Sequence, residues 1–167
     1  MAKLKGVRKL NKSIGMAFRG FGIDKMFLDT EYAYYFDGEK IAFKLTEGTP
    51  EDELFKEFVF ERFGYEIKLP WLFSILHEIG HHKANDEIEG AIYDFCMSEK
   101  ERIEEEMETA FSIEDAKILE WQYFNLPDEI MATQWAVNYA RKHPRKIKKI
   151  WAECETAIHE FYKKNLD

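Results

Sequence analysis

The sequence predicts an α+β fold, mostly helical, with a small antiparallel sheet packed beside a histidine-bearing helix. Three observations carry that reading. Tyr32, Tyr34 and Phe36 alternate before Asp37-Gly38, and Ile41, Phe43 and Leu45 alternate after it, which is a hairpin signal. From Thr49 onward, apolar residues recur at helical spacing between capping signals. Within 71–84, aliphatic residues fall on one side of a helical wheel and histidines with a glutamate on the other.

Composition bounds the rest. The 167 residues, 46% of them apolar and including 14 Phe, 8 Tyr and 4 Trp, suit a single domain over 1–167 with a real core. A net charge of −8 argues against a general grip on nucleic-acid phosphates, so no direct nucleic-acid partner is expected. Lys3, Lys5, Arg8, Lys9, Lys12 and Arg19 make residues 1–26 a basic N-terminal segment, read as a solvated stretch or helix in preference to a nucleic-acid arm. No signal-peptide apolar region and no membrane-length apolar run is present. Cys96 and Cys154 stand far apart without a CxxC pair, as reduced thiols would in a cytoplasmic protein.

The helices follow in order. Thr49-Pro50-Glu51-Asp52 caps one that Gly64 ends. Pro70 starts the next, running to about Ala84. A long acidic segment from Asp86 to Glu108 has Ile88, Ile92, Phe95, Ile103 and Met107 as its apolar positions, with Glu99–Glu108 as a solvated face. Ser112-Ile113-Glu114-Asp115 resembles a capping box and opens a helix toward Phe124. Pro127 begins another that His143-Pro144 ends, and a last helix covers about Arg145 to Lys164.

The stretch "LHEIGHHKAND" carries His77-Glu78-Ile79-Gly80-His81. On a wheel of about 100° per residue, His77 and His81 lie about 40° apart and one turn displaced, as two ligands of one ion require. Glu78 lies about 60–100° from them, close enough to address a metal-bound water without joining the ligands. Leu72, Ile75, Leu76 and Ile79 form the opposite, core-facing side. His82 is about 140° from His77 and reads as a supporting or helix-end residue. One zinc ion held by three protein ligands keeps an open position for water, and Glu78 is placed as the catalytic base.

Such a site needs a further donor. Asp86, Glu87 and Glu89 sit where the chain must still turn. In "LPDEIMATQWAVNYARKHP", Ala132, Thr133, Ala136 and Ala140 share a stripe with Glu129, and small side chains let that helix approach another closely. Glu129 is therefore the expected third ligand, and Asp128 reads as a helix-dipole acid.

HEIGH followed by a helix reading E-x-x-A-x-x-W-A resembles the ImmA/IrrE-like metallopeptidases, gluzincin-type members of the zincin group, over about Phe27 to Arg141. The resemblance implies a zincin-like domain with His77 and His81 as ligands, Glu78 as base and Glu129 as third ligand. Ala132, Trp135 and Ala136 match the packing positions of that second motif. Met131, Thr133 and Trp135 stand where a second acid, Asn or Asp, and Phe are common. The interval from His81 to Glu129 is long for the family, as though 86–110 were an acidic helical insertion. The resemblance also implies a zinc peptidase acting on a protein or peptide substrate such as a repressor, in a chain from a phage or mobile element. The hairpin would offer a strand edge to an extended substrate. Tyr123, Tyr139, His143 and His159 are candidates to stabilise the oxyanion.

Two other readings stay open. The chain could be a non-catalytic binding protein on a zincin scaffold, occupying a protein partner. Or zinc could be structural, with His143, His159, Cys96 or Cys154 as a fourth ligand.

Overall fold

Thr49 opens the first long helix through a reciprocal capping box: its Oγ1 accepts from the Asp52 amide at 3.2 Å, and Asp52 Oδ2 accepts from the Thr49 amide at 3.0 Å. This capping is seen in a computed structural model that describes residues 4–23, 25–29, 34–84, 88 and 90–165. Lys3, Tyr32, Asp86, Glu87 and Glu89, which figure in the sequence reading, lie outside the described residues. The chain divides into two compact units, Met1–Thr46 with Tyr139–Asp167, and Glu47–Asn138.

In the first unit, α1 (Val7–Ala17) packs on α7 (Pro144–Asn165) and on β1 (Met26–Leu28). The two helices run antiparallel, since Asn165 bonds the backbone of Lys5 at both its amide and its carbonyl. The expected hairpin is present as β2 (Tyr35–Phe36) and β3 (Ile41–Phe43), antiparallel, with Phe36 opposite Ile41. Asp37 Oδ1 accepts from the amides of Glu39 and Lys40, and Gly38 takes a φ of 90°, which closes the turn. The sheet gains a third strand on the other edge, β1, parallel to β3 with Met26 opposite Ile41, so it is mixed, in the order β1-β3-β2. As the central strand, β3 buries Ala42 as well as Ile41 and Phe43, and its alternation disappears.

The second unit is helical: α2 (Pro50–Phe63), α3 (Pro70–Ala84), α4 (Ala91–Glu108), α5 (Ile113–Phe124) and the greater part of α6 (Pro127–Lys142). Phe55 and Phe58 of α2 meet Phe124 with ring centroids 5.2 and 5.4 Å apart, and Phe58 meets Trp121 at 5.3 Å. A second cluster joins Ile103 of α4 to Leu119 of α5 and to Leu126, with Met107 and Tyr123 packed on it. The inward stripe of α4 differs from the expected one. Ile92 and Phe95 are exposed, and Cys96 and Ile103 are fully buried. The helix starts at Ala91, and its phase places Cys96, Lys100, Ile103 and Met107 on one face. Among the described residues, no helix is long and apolar enough to cross a membrane.

Candidate metal centre

The histidine helix α3 is buried nearly all round. Trp71, Leu72, Ile75, Leu76 and Ile79 fill one side, and His77 and Glu78 are only 7% and 8% exposed on the other. Polar groups survive such burial only when they are paired, and for His77 α6 supplies the partners. The two helices meet at Gly80. A Cβ built there would lie 2.3 Å from the Ala132 carbonyl oxygen, so only glycine allows this approach. Ala132 and Ala136 are fully buried along the same stripe. The small-residue face of α6 thus does what its sequence predicts, and it brings Glu129 onto the histidines.

Three donor side chains converge. His77 Nε2 is 2.9 Å from Glu129 Oε2, His81 Nε2 is 3.4 Å from Glu129 Oε1, and the two Nε2 atoms are 3.2 Å apart. Bonds of about 2.0–2.1 Å in a tetrahedral zinc site set donor atoms roughly 3.3–3.4 Å apart, so the residues fit such an ion. Nitrogen lone pairs and carboxylate oxygens all accept, and atoms of that kind face one another only around a proton or a cation. One carboxylate oxygen of Glu78 lies within 4.8 Å of ring nitrogens of both histidines, and His81, Asp128 and Glu129 form a second cluster of the same reach. These groups are geometrically suited to hold a divalent metal ion. Among the described residues, neither cysteine, nor His82, His143 or His159, belongs to either cluster.

The surroundings orient the donors. His77 Nδ1 is 3.0 Å from the Oγ1 of Thr133, which is fully buried. Donation from Nδ1–H to that hydroxyl leaves Nε2 bare and aimed at the cluster. The Phe55 ring stands edge-on to His77 at 5.3 Å and walls it. We expect Thr133→Val to preserve packing but leave the Nδ1–H unsatisfied, lowering metal affinity about 10–100-fold in a chelator-competition titration.

Lys100 is the residue that sequence reasoning missed. Its ammonium reaches Glu129 Oε1 and Asp128 Oδ2, each at 2.5 Å, and lies 5.1 Å above the Tyr123 ring. Asp128 is therefore part of the cluster's surroundings as well as an acid at the start of α6. Its Oδ1 is buried without a hydrogen-bond partner among the described residues. The signal for Lys100 was its place on the inward stripe of α4, four residues after Cys96 and three before Ile103.

Electrostatics follow burial and pairing. Burial raises the Glu78 pKa, against the partial opposition of His77 and His81. Burial opposes the charge on Glu129 too, but His81 and His77 outweigh it and hold that carboxyl well below the usual range. For His81, burial works against protonation and Glu129 prevails, raising its pKa. Burial also opposes the Lys100 ammonium, and Glu129 together with Asp128 overrides it. Of the four oxyanion candidates, Tyr123 belongs to the unit that holds this cluster, and Tyr139, His143 and His159 belong to the other. Burial raises the Tyr123 pKa, keeping its hydroxyl a donor.

No family model, curated protein or solved structure matches this chain. His77-Glu78-x-x-His81 with the distal Asp128-Glu129 pair makes a zincin-type HExxH metal-binding motif, an arrangement consistent with a gluzincin-like fold.

Proposed function

We propose that the chain is a zinc-dependent metallopeptidase that hydrolyses a peptide bond in a specific protein substrate, such as a repressor or other regulator. The observation that carries this reading is the convergence of His77, His81 and Glu129 within 3.4 Å of one another, with the buried Glu78 carboxylate within 4.8 Å of both imidazoles. His77, His81 and Glu129 would hold one zinc ion. When bound, zinc polarises a carbonyl and acidifies water. Glu78 accepts the proton of the attacking water and returns it to the leaving amine. Its burial suits that exchange, because a raised pKa brings a carboxylate nearer to neutrality. Thr133 fixes the His77 ring, and Lys100 holds one oxygen of Glu129. The resemblance to the ImmA/IrrE-like enzymes supports this reading through the two motifs. On it, 1–167 forms one catalytic domain, in which the acidic segment 86–110 is an insertion that carries Lys100 to the ligand helix.

The Lys100 ion pairs favour a second reading. One ammonium already pairs with both Glu129 and Asp128, and a non-catalytic scaffold that binds a partner without metal would use such a cation in the ion's place. Metal analysis separates the two. The peptidase reading expects one zinc per chain after purification, and cleavage of a protein or peptide library that stops on chelation and returns with zinc. Absence of zinc, with a melting temperature that added zinc does not raise, would establish the scaffold instead.

A further inference from the structure

Charge is divided between the two units, not spread over the chain. Residues 1–46 and 139–167 carry 17 Lys and Arg against 9 Asp and Glu, whereas 47–138 carry 7 against 23. The net charge of −8 averages a basic unit and an acidic one. Within the basic unit, six of the nine residues from Arg141 to Lys149 are Lys or Arg, and all six are exposed. Among the described residues, no ion pair engages Lys142, Arg145, Lys146, Lys148 or Lys149.

Placement makes this cluster costly to the fold. Arg145 and Lys146 occupy the first turn of α7, which holds no acid, so they sit at the positive end of the helix dipole. The antiparallel packing of α1 on α7 brings further cations to it. Lys9 and Lys12 of α1 line one surface groove with Lys149 of α7, beside the Ser13 and Thr156 hydroxyls. The acids present are Glu153 in the groove and Glu160, which pairs with Lys9 at 2.7 Å. Lys12 and Lys149 remain exposed without an ion pair among the described residues. Met16, half exposed, is the large apolar side chain of this groove. An amphipathic helix that inserts into a membrane surface would need a broader apolar face than Met16 supplies. Lys12 and Lys149, continued by the unpaired cations at the start of α7 and with the Ser13 hydroxyl alongside, match a chain of phosphates instead.

We infer that the surface formed by the C-terminal half of α1 and the first turns of α7 binds the phosphate backbone of a nucleic acid, without sequence readout. The inference does not depend on the metal centre or on the proposed peptidase activity. The test is fluorescence anisotropy of the full chain with a labelled 20-base-pair DNA duplex and a 20-nucleotide single-stranded RNA, over 50–200 mM salt. Binding to at least one is expected, with affinity falling about a hundredfold over that range, as four neutralised phosphates require. Lys12→Gln/Lys149→Gln should weaken binding about tenfold and flatten the logarithmic salt slope by about two. Lys68→Gln/Lys117→Gln removes the same charge from exposed positions of the acidic unit and should change affinity less than about threefold. No binding by the parent chain at 50 mM salt would overturn the inference. So would equal losses in the two double variants, or binding to phosphatidylserine vesicles but to neither nucleic acid.

Discussion

Glu78→Gln should retain its zinc and lose cleavage, with kcat reduced about 10²–10⁴-fold, the contribution typical of a positioned general base. The amide keeps the shape of the carboxylate and cannot accept the water's proton. Metal content should not change, because the donor atoms nearest one another belong to His77, His81 and Glu129. Stability supplies the control. Burial raises the Glu78 pKa, so in the metal-free protein the folded state favours the protonated acid more than the unfolded chain does. That preference contributes most at pH below the unfolded value and is lost as pH rises through the folded one. At neutral pH, above the unfolded value, the unfavourable ionisation of the buried carboxyl therefore opposes folding, and the uncharged amide removes the opposition. Metal-free Glu78→Gln should melt no lower than the parent at pH 7. Undiminished proteolysis by a zinc-loaded variant would remove Glu78 from the mechanism.

How much of this was legible beforehand depends on how local each signal is. Thr49, Pro50 and Gly64 mark the ends of α2 because capping is settled within one turn. The His77–His81 spacing fixes one face of α3 for the same reason. Glu129 was legible at a distance because a stripe of Ala and Thr announces close helix contact whatever the partner. Strand β1 was not, since three residues are too few to show alternation and its pairing with β3 is parallel. Lys100 hid among the acids of α4, where a lone cation reads as a surface ion-pair partner. Arg102 nearby is such a residue, bonded to Glu99 and Glu106. Exposure alone misleads here, because the deciding quantity is the phase of the inward stripe, and Ile92 and Phe95 suggested the wrong one. Net charge obscured the α7 half of the basic face in a similar way, by summing two units of opposite sign.

Gly80→Ala should lower the melting temperature and weaken metal binding together. In an isolated helix the change would stabilise by about 1 kcal/mol, since glycine is a poor helix former. Here the new Cβ would stand 2.3 Å from the Ala132 carbonyl oxygen and 2.8 Å from its Cα, distances that real contacts do not show. The obstructing atoms are backbone, so no rotamer change relieves them, and α3 must move away from α6. Overpacking of this kind costs about 1–3 kcal/mol or more, and a rigid backbone partner puts Gly80 at the upper end. The net loss of about 2 kcal/mol corresponds to a fall in Tm of roughly 4–8 °C for a chain of this length. The same displacement separates His77 and His81 from Glu129, which lies three residues before Ala132 on the opposing helix. Zinc affinity should drop at least about tenfold, because a third ligand must reach a position fixed to tenths of an ångström. Thermal melts with and without zinc check both effects: zinc should raise the Tm of the parent more than that of the variant. A Gly80→Ala variant as stable as the parent would show that α3 and α6 do not need this close approach.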